Sequence, residues 1–340
     1  MQDKFNKLKK YIKENYREFL SYFVFFTCLF ALTYKLPYYI HTGGGVINTN
    51  DKISIDNEYK SDGKFNFAYV ESRNAILPLY LIAKFNDNWD IEKISDLKVD
   101  ENDSVKDINF RDKLDLKISI ANASVNAYKL AGKEVNIKNI DNYVVYLKDK
   151  EMTDLQVGDI LISVDGKNIS NLEDIKNIVG SKNIGDKISV LVKRNNKEKE
   201  CYVTVFENDN QKMIGVSIMS LPNYETDPRL DVKFSKNESG PSGGLMLGLT
   251  IYDKLTEDDL TNGLNIVGSG TIDFSGNVGA IGGVKYKLQG AVKSQADIFI
   301  AANEENYDEC MKLKKEKNYK IKIIGVDNLE DAINKLKELK

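Results

Sequence analysis

Two short stretches between residues 240 and 287 decide the fold of this chain. The first reads Gly240-Pro241-Ser242-Gly243-Gly244 and continues into the apolar residues 245–249, Leu-Met-Leu-Gly-Leu. Flanking glycines allow the backbone to turn sharply and leave the serine hydroxyl uncrowded. The helical pattern behind the turn offers free N–H groups and the positive end of a helix dipole. The pattern indicates a nucleophilic Ser242 beside an oxyanion site; a serine that only caps the helix is the alternative, and the turn alone favours it.

The second stretch reads Gly279-Ala280-Ile281-Gly282-Gly283-Val284-Lys285-Tyr286-Lys287. A serine hydroxyl is a weak nucleophile and needs a base within hydrogen-bond reach. The single histidine, His41, lies near an apolar N-terminal segment, which argues against a Ser-His hydrolase. A lysine can replace histidine where burial lowers its pKa. Lys285 follows an uncharged run and is the predicted base; a solvated surface lysine is the alternative.

Together the two motifs resemble the nucleophile turn and the lysine motif of Lon-type proteases, over about residues 214–340. The resemblance implies an α/β (α+β) proteolytic domain with a Ser-Lys dyad of Ser242 and Lys285, 43 residues apart, and Lys287 as the fallback base. Gly243 stands where Lon enzymes often carry alanine, which should be tolerated. Ser239 stands where many Lon enzymes carry an acidic residue, three places before the nucleophile. Glu238 is the neighbouring acidic residue, and whether any acidic residue assists the dyad stays open.

Composition excludes several other classes. The 340 residues carry a net charge of −3, and no basic face indicates a nucleic-acid partner. The three cysteines, Cys28, Cys201 and Cys310, do not form the pattern of a disulfide framework, and with one histidine they do not predict a metal site. No Gly-x-x-x-x-Gly-Lys-Ser/Thr loop is present, so neither a nucleotide nor any other cofactor is expected and peptide cleavage should not need ATP.

A further motif lies in the middle of the chain, at Leu155-Gln156-Val157-Gly158-Asp159-Ile160-Leu161-Ile162-Ser163-Val164-Asp165-Gly166-Lys167. It resembles the core hairpin of PDZ domains, and Asp165-Gly166 fits a type I′ turn. A helix over 172–179 and strands over 187–193 and 200–206 should follow. The resemblance implies a mostly-β domain that adds an extended peptide to a sheet edge. The apolar-Gly-apolar carboxylate loop is not recognisable near Asn142–Leu147, so a rigid spacer or gate is the alternative.

The N-terminal region predicts a membrane anchor. Phe19–Tyr34 contains sixteen uncharged, largely aromatic and aliphatic residues, and basic residues precede it. This is slightly short of the roughly 20 residues that span a bilayer, but Lys35 can snorkel. The basic residues before the segment predict a protein anchored in the cell membrane, with its N-terminus in the cytoplasm and its catalytic domain outside the cell. A cleaved signal peptide and a buried core helix are the alternatives.

These patterns divide the chain into predicted segments: a cytoplasmic tail over 1–18, a transmembrane helix over 19–38, a juxtamembrane α/β region over 39–132, a PDZ-like domain over 133–206 and a Lon-type proteolytic domain over 207–340. The juxtamembrane region resembles that of small membrane-anchored bacterial proteases and either packs with the protease or stands apart. In the last segment we expect a hairpin at Ser275-Gly276, helices over 285–294, 304–315 and 328–339, and strands over 298–301 and 319–325.

The sequence thus predicts a single-pass, ATP-independent serine endopeptidase that acts on extracellular peptides or membrane-proximal proteins. The PDZ-like domain would assist substrate binding or gate the protease. Ser269 and Thr271 are the polar residues expected near Lys285. The alternative from another class is a membrane-tethered peptide-binding scaffold whose protease domain is inactive. Whether the chain forms a homo-oligomer stays open.

Overall fold

A computed structural model describes residues 9–169, 172–303 and 305–339 as a mixture of helices and sheets. Four predicted features fall partly outside these residues: the first eight residues of the tail, Ser170 and Asn171 of the PDZ-like domain, Glu304 as the start of a helix, and Lys340 as the end of the last domain. The predicted mixed α/β character of the chain is present throughout the described part.

The helices, in chain order, are α1 Tyr16–Thr33, α2 Leu77–Lys84, α3 Val105–Leu130, α4 Leu172–Gly180, α5 Gly244–Leu255, α6 Val284–Lys293, α7 Glu305–Lys317 and α8 Leu329–Lys337. Residues 9–14 are also helical. Helix α3 begins at Val105 because Ser104 and Asp107 form a reciprocal capping box there.

The strands, in chain order, are β1 Lys35–Asn48, β2 Ile53–Ile55, β3 Lys64–Ile76, β4 Asp90–Lys93, β5 Glu134–Leu147, β6 Ile160–Val164, β7 Lys167–Asn168, β8 Lys187–Arg194, β9 Lys197–Thr204, β10 Phe206–Asn208, β11 Gln211–Met213, β12 Val216–Asp227, β13 Leu230–Val232, β14 Asn265–Ser269, β15 Thr271–Ile272, β16 Val278–Gly279, β17 Ile298–Ala302 and β18 Lys322–Val326. The hairpin predicted at Ser275-Gly276 is the β15–β16 pair.

The chain divides into two compact units. The first comprises residues up to Thr42 together with Glu71–Leu97, and the second comprises Gly43–Val70 and everything from Lys98 onward. In the first unit, β4 pairs antiparallel with the beginning of β1, and Ile40, Ala75 and Ala83 form its small core.

The second unit is built around a sheet with the strand order β18-β17-β14-β3-β1. Strands β3, β14, β17 and β18 run parallel, so their carboxyl ends meet at one edge of the sheet. Such edges of parallel sheets are the usual place for a binding crevice. Residues 43–48 and 64–70, from the region predicted as juxtamembrane, therefore supply strands to this sheet.

Helices cover both faces of this sheet. On one face Phe67 and Ile266 pack with Leu245 of α5, Ala127 of α3 and Leu329 of α8. On the other face Ala68, Val267 and Phe299 pack with Leu288 of α6 and Cys310 of α7. Successive strand residues point to opposite faces, so Phe67 and Ala68 belong to different layers. Helix α5 is buried over its whole length, which agrees with its apolar sequence.

A second sheet in this unit has the order β12-β5-β6-β8-β9, with β7 paired to β6. Asp165 and Gly166 both adopt positive φ angles, 51° and 72°, as the predicted type I′ turn requires. The sheet extends beyond the predicted end at Phe206, because β12 pairs along the whole of β5.

The predicted transmembrane helix is wrong. Among the described residues, no helix combines enough length with enough apolar character to cross a bilayer. Helix α1 ends at Thr33, and Lys35–Tyr38, predicted as the end of the span, belong to β1. The cellular location predicted for the catalytic domain rests on the same segment and stays a prediction.

Candidate functional site

The turn that carries Ser242 is held against the side of α3. The N–H of Gly240 donates to the carbonyl oxygen of Asp112 at 2.8 Å. The hydroxyl of Ser119, two turns further along α3, donates to the carbonyl oxygen of Pro241 at 2.9 Å. These two bonds fix the backbone immediately before the serine, and Ser242 itself remains half-buried.

A second pair of bonds fixes the backbone at the serine itself. The carbonyl oxygen of Ser242 accepts the N–H of Gly270 at 2.9 Å and the hydroxyl of Ser269 at 2.9 Å. The N–H of Leu245 in turn donates to the carbonyl of Gly270 at 3.1 Å. Ser269 is the last residue of β14, so Ser242 lies at the edge where the carboxyl ends of the parallel strands meet.

The two glycines after Ser242 have different surroundings. A Cβ atom on Gly243 would lie 3.6 Å from the ring of Phe67, an ordinary contact. A Cβ atom on Gly244 would lie 2.5 Å from Oγ of Ser119 and 2.7 Å from Cγ2 of Ile272. Only a residue without a side chain therefore fits at Gly244, because α3 packs directly against the start of α5.

Unused N–H groups lie beside the serine hydroxyl. Helix α5 begins at Gly244 with Gly243 as its N-cap. Among the described residues, no acceptor is bonded to the N–H groups of Ser242 and Gly243. Such groups at a helix N-terminus can hold the negative oxygen that develops when a carbonyl is attacked.

Lys287 is the buried lysine of the predicted motif. Its residue is only 4% exposed, and it lies in the second turn of α6. Within the part of the chain that the structure describes, no carboxylate pairs with its ammonium group. Burial lowers its pKa to about 8, since desolvation disfavours the charged form.

Lys285 has a different environment, although it is only two residues away. It is half-buried, and its Nζ lies 5.3 Å from the centre of the Tyr286 ring, where a cation is favoured. The properties that a lysine base requires, burial and a lowered pKa, therefore occur at Lys287. The sequence analysis named Lys285 as the base and Lys287 as the fallback, and that choice stays a prediction.

The serine turn and the lysine helix approach the same strand. Gly243 lies against Phe67 of β3, and Gly283, which precedes α6, lies so close to Val70 that a Cβ there would be 2.8 Å from Cγ2 of that valine. Phe67 and Val70 are three residues apart, about 10 Å along a strand. The serine turn and the residue before α6 thus approach β3 near its carboxyl end, and α5 and α6 cover opposite faces of the sheet.

Three other polar residues weighed in the sequence analysis have defined partners. Ser269 is fully buried and bonds to the backbone of Ser242, as described above. Glu238 forms an ion pair with Lys52 at 2.8 Å and accepts the N–H of Ser235. His41, which lies in the first unit, contacts Ser72 at 2.7 Å and Glu92 at 2.8 Å.

Two half-buried carboxylates escaped the sequence analysis. Asp112 and Asp115 lie on α3, on the side where Ser119 contacts the serine turn. Burial raises the pKa of both carboxyl groups, and for Asp115 the charge of Asp112 adds to the rise. The only signal in the sequence was their helical spacing with Ser119.

A second site lies in the PDZ-like sheet, where β12 is the edge strand. It begins in the apolar-Gly-apolar sequence Ile214-Gly215-Val216, in which Val216 is the first residue of the strand and Gly215 has a φ of 64°. Among the described residues, no acceptor is bonded to the N–H groups of Ile214 and Gly215. The C-terminal end of helix α4 lies beside β11, just before this loop, since Lys212 of β11 donates to the carbonyls of Gly180 and Lys182.

This loop has the pattern that is missing near Asn142–Leu147. It stands about 70 residues later in the chain, after β9 and the β10–β11 pair. A search for the same pattern beyond Phe206 would have found it. An edge strand with a loop of free N–H groups at its start can accept an extended peptide and its carboxylate.

Two family models and one curated relative match parts of this chain. Residues 134–205 match the model of the PDZ domain, and residues 235–338 match that of the Lon protease (S16) C-terminal proteolytic domain. A Lon protease of Aster yellows witches'-broom phytoplasma is 32% identical over 100 residues, which are 29% of this chain and 12% of the relative. The chain therefore spans about an eighth of the length of that relative.

Two solved structures are similar to parts of this chain. The PDZ domain of an SdrC-like protein of Listeria monocytogenes is 20% identical and covers 25% of this chain and 93% of its own, with a TM-score of 0.22. A protein of Geobacillus thermodenitrificans is 28% identical and covers 22% of this chain and 92% of its own, with a TM-score of 0.21. The family models and the Lon protease relative confirm the predicted resemblance to a PDZ/Lon-type protease.

Proposed function

We propose that this chain is a serine peptidase in which Ser242 is the nucleophile and Lys287 the general base. The single observation that carries the proposal is the buried position of Lys287, which lowers its pKa to about 8. A neutral amine is available in a useful fraction near physiological pH only when its pKa is lowered in this way. The match of residues 235–338 to a proteolytic domain supports the same function.

In the proposed mechanism, neutral Nζ of Lys287 accepts the proton of the Ser242 hydroxyl while Oγ bonds to the scissile carbonyl carbon. The N–H groups of Ser242 and Gly243 hold the resulting oxyanion, a contribution worth about 10²–10³ in rate for each donor. The intermediate collapses as the C–N bond breaks, and protonated Lys287 gives its proton to the leaving amine. A water molecule, deprotonated by Lys287, then hydrolyses the acyl-enzyme ester, which releases the carboxylic acid and restores Ser242.

The PDZ domain would bind the substrate or a regulatory peptide as an added strand along β12. Its carboxylate would rest on the N–H groups of Ile214 and Gly215. Main-chain hydrogen bonds to an edge strand provide affinity without strict sequence requirements, which suits an enzyme that binds unfolded segments.

The test uses the full chain with an unstructured protein such as casein, and cleavage is followed by mass spectrometry. Ser242→Ala and Lys287→Met should abolish cleavage, while Lys285→Met should retain most of it. Methionine preserves the length of the lysine side chain and removes the charge, so the two lysine variants are matched.

Each other outcome has a definite meaning. Loss of activity in Lys285→Met alone would return the base to Lys285. If Ser72→Ala lost activity and Ser242→Ala kept it, the nucleophile would be Ser72, activated by His41. Cleavage by none of the proteins, with peptide binding preserved, would favour the scaffold with an inactive protease domain.

A further inference from the structure

The PDZ sheet and the serine turn meet on the first turns of α3. On the PDZ side, the ring of Phe110 lies 6.1 Å from the ring of Tyr143, and its edge lies 3.5 Å from the position a Cβ would take on Gly158. On the protease side, the backbone carbonyl oxygen of Asp112 accepts the N–H of Gly240, two residues before Ser242. The two contacts are about 3 Å apart along the helix axis, since each residue rises 1.5 Å.

Arg111 stands between these contacts and binds the PDZ strand directly. Its Nη1 donates to the carbonyl oxygen of Val145 at 3.2 Å and to Oδ1 of Asp103 at 2.9 Å. A second bond from Nη2 to Asp103 makes the pair bidentate. The side chain of Asp103 is 1% exposed and that of Arg111 is 17% exposed, so this is a buried and geometrically defined pair.

The carbonyl of Val145 is available because β5 bulges there. Along the β12–β5 ladder, Ser217 pairs with Tyr146 and Ile218 pairs with Val144, which leaves Val145 without a partner in β12. A bulge interrupts the ladder locally and lets a strand bend. The residues of β12 opposite this bulge are those that follow the Ile214-Gly215 loop at the start of the edge strand.

We propose that a peptide bound along β12 is energetically coupled to ligand binding at Ser242, with Arg111 as the positioning residue that joins the two sites. A strand added to the outer edge of β12 orders residues 216–218, whose inner side faces the bulge. The bulge position sets the bond from Arg111 to Val145, and the next residue, Asp112, anchors the turn that leads to Ser242. This inference rests on the proposed function, because it requires a reactive Ser242.

Reciprocity makes the coupling measurable. If a peptide changes the affinity of an active-site ligand by some factor, the active-site ligand must change the affinity of the peptide by the same factor. As active-site probe we choose a dipeptide boronate, which bonds reversibly to a serine Oγ. As edge probe we choose a pool of fluorescein-labelled heptapeptides of mixed sequence with a free carboxylate, measured by fluorescence polarisation.

For the wild-type full chain we expect each probe to change the dissociation constant of the other by the same factor, of about five or more. In Arg111→Met each probe should still bind alone, and the mutual factor should fall to about one. In Arg111→Lys, which keeps the charge but not the bidentate geometry, the factor should be intermediate.

Arg194 provides a matched control. It pairs with Asp159 inside the PDZ sheet, with side chains 15% and 1% exposed, and its bonds in the described part of the chain include none to α3 or to the serine turn. Arg194→Met removes an equally buried guanidinium and should leave the mutual factor at its wild-type value. Loss of the factor in both variants would indicate general loosening and overturn the role of Arg111.

The inference and the proposed function fail in different ways. Independent binding of both probes to the wild-type chain would overturn the coupling and leave the peptidase proposal intact. No binding of the peptide pool would also overturn the coupling. Boronate binding that is the same in wild type and Ser242→Ala would overturn the proposed nucleophile, and the coupling with it.

Discussion

Lys285 and Lys287 stand two residues apart on α6 and differ in how deeply they are buried. Lys287 is 4% exposed, and burial lowers its pKa to about 8. Lys285 is half-buried, with its Nζ over the ring of Tyr286. The two ammonium groups thus lie in different surroundings, although the two lysines belong to the same sequence motif. The predictions on catalysis and stability depend on this difference in burial.

The rate of peptide cleavage should rise with pH and level off above about pH 8. Below the pKa of about 8, each pH unit should reduce kcat/KM about tenfold, because only neutral Lys287 can accept the proton of Ser242. The measurement is kcat/KM for a short chromogenic peptide from pH 5.5 to 9.5. Lys285→Met should give the same profile, and a flat profile across this range would exclude Lys287 as the base.

Lys287→Met should raise the free energy of unfolding near pH 7 while it abolishes cleavage. Folding lowers the pKa of Lys287 from 10.5 to about 8, so the unfolded chain binds more protons than the folded chain between these two values. Stability therefore rises with pH through that window, and below pH 8 the full cost of the buried lysine is present. From the size of the shift, the gain at pH 7 is at most about 3 kcal/mol.

The measurement is urea unfolding of the wild type, Lys287→Met and Lys285→Met at pH 7 and at pH 10. The advantage of Lys287→Met over wild type should shrink at pH 10, and Lys285→Met should stay close to wild type at both. A less stable Lys287→Met at pH 7 would mean that the ammonium group is stabilised in the fold, contrary to its lowered pKa.

Much of the site was predictable because it depends on local sequence. Gly-Pro-Ser-Gly-Gly before an apolar run specifies a tight turn and a helix, and that is the observed arrangement around Ser242. The continuous apolar run Ile298–Ala301 specifies a buried strand, and the Asp165-Gly166 turn requires two positive φ angles. Each of these features involves residues within a few positions of one another, so tertiary packing had little to override.

The features that the sequence did not predict depend on contacts between residues far apart in the chain, which the spacing of motifs does not reveal. Which of Lys285 and Lys287 is buried depends on how α6 lies on the sheet, and a motif that contains both cannot decide it. The peptide edge at Ile214-Gly215-Val216 emerges only from the strand order, because β12 pairs with β5 across about 70 intervening residues. The predicted membrane span failed because Lys35–Tyr38 continue into a strand, which apolar composition alone does not exclude.

Gly243→Ala should preserve activity and Gly244→Ala should impair it. A methyl group on Gly243 meets only an ordinary contact with Phe67, whereas one on Gly244 would lie 2.5 Å from the hydroxyl of Ser119. Overpacking of this kind typically costs about 1–3 kcal/mol. The change should displace α3 from the serine turn and lower kcat more than it raises KM. Thermal unfolding together with kcat for both variants checks this, and equal behaviour of the two would contradict the packing argument.

Ser269→Ala should lower kcat/KM while leaving the fold intact. The hydroxyl of Ser269 donates to the carbonyl oxygen of Ser242 at 2.9 Å, in a fully buried position. Its loss should cost about 1 kcal/mol of stability and loosen the backbone at the nucleophile. Ser269→Thr retains the hydroxyl and should recover most of the activity. If Ser269→Ala matched wild type in kcat/KM, the bond would have no part in positioning Ser242.

Peptides with a free C-terminal carboxylate should bind the PDZ sheet more tightly than the same peptides with an amidated C-terminus. The N–H groups of Ile214 and Gly215 would bind the carboxylate, and charge-assisted bonds are roughly twice as strong as neutral ones. Gly215→Ala should weaken binding of both forms, because φ is 64° and a Cβ would lie 3.0 Å from the ring of Phe206. Gly166→Ala, also at positive φ but with open space around it, is the matched control for backbone strain and should bind as wild type does. Equal affinity for the two peptide forms would mean that β12 binds extended segments internally, without recognition of a chain end.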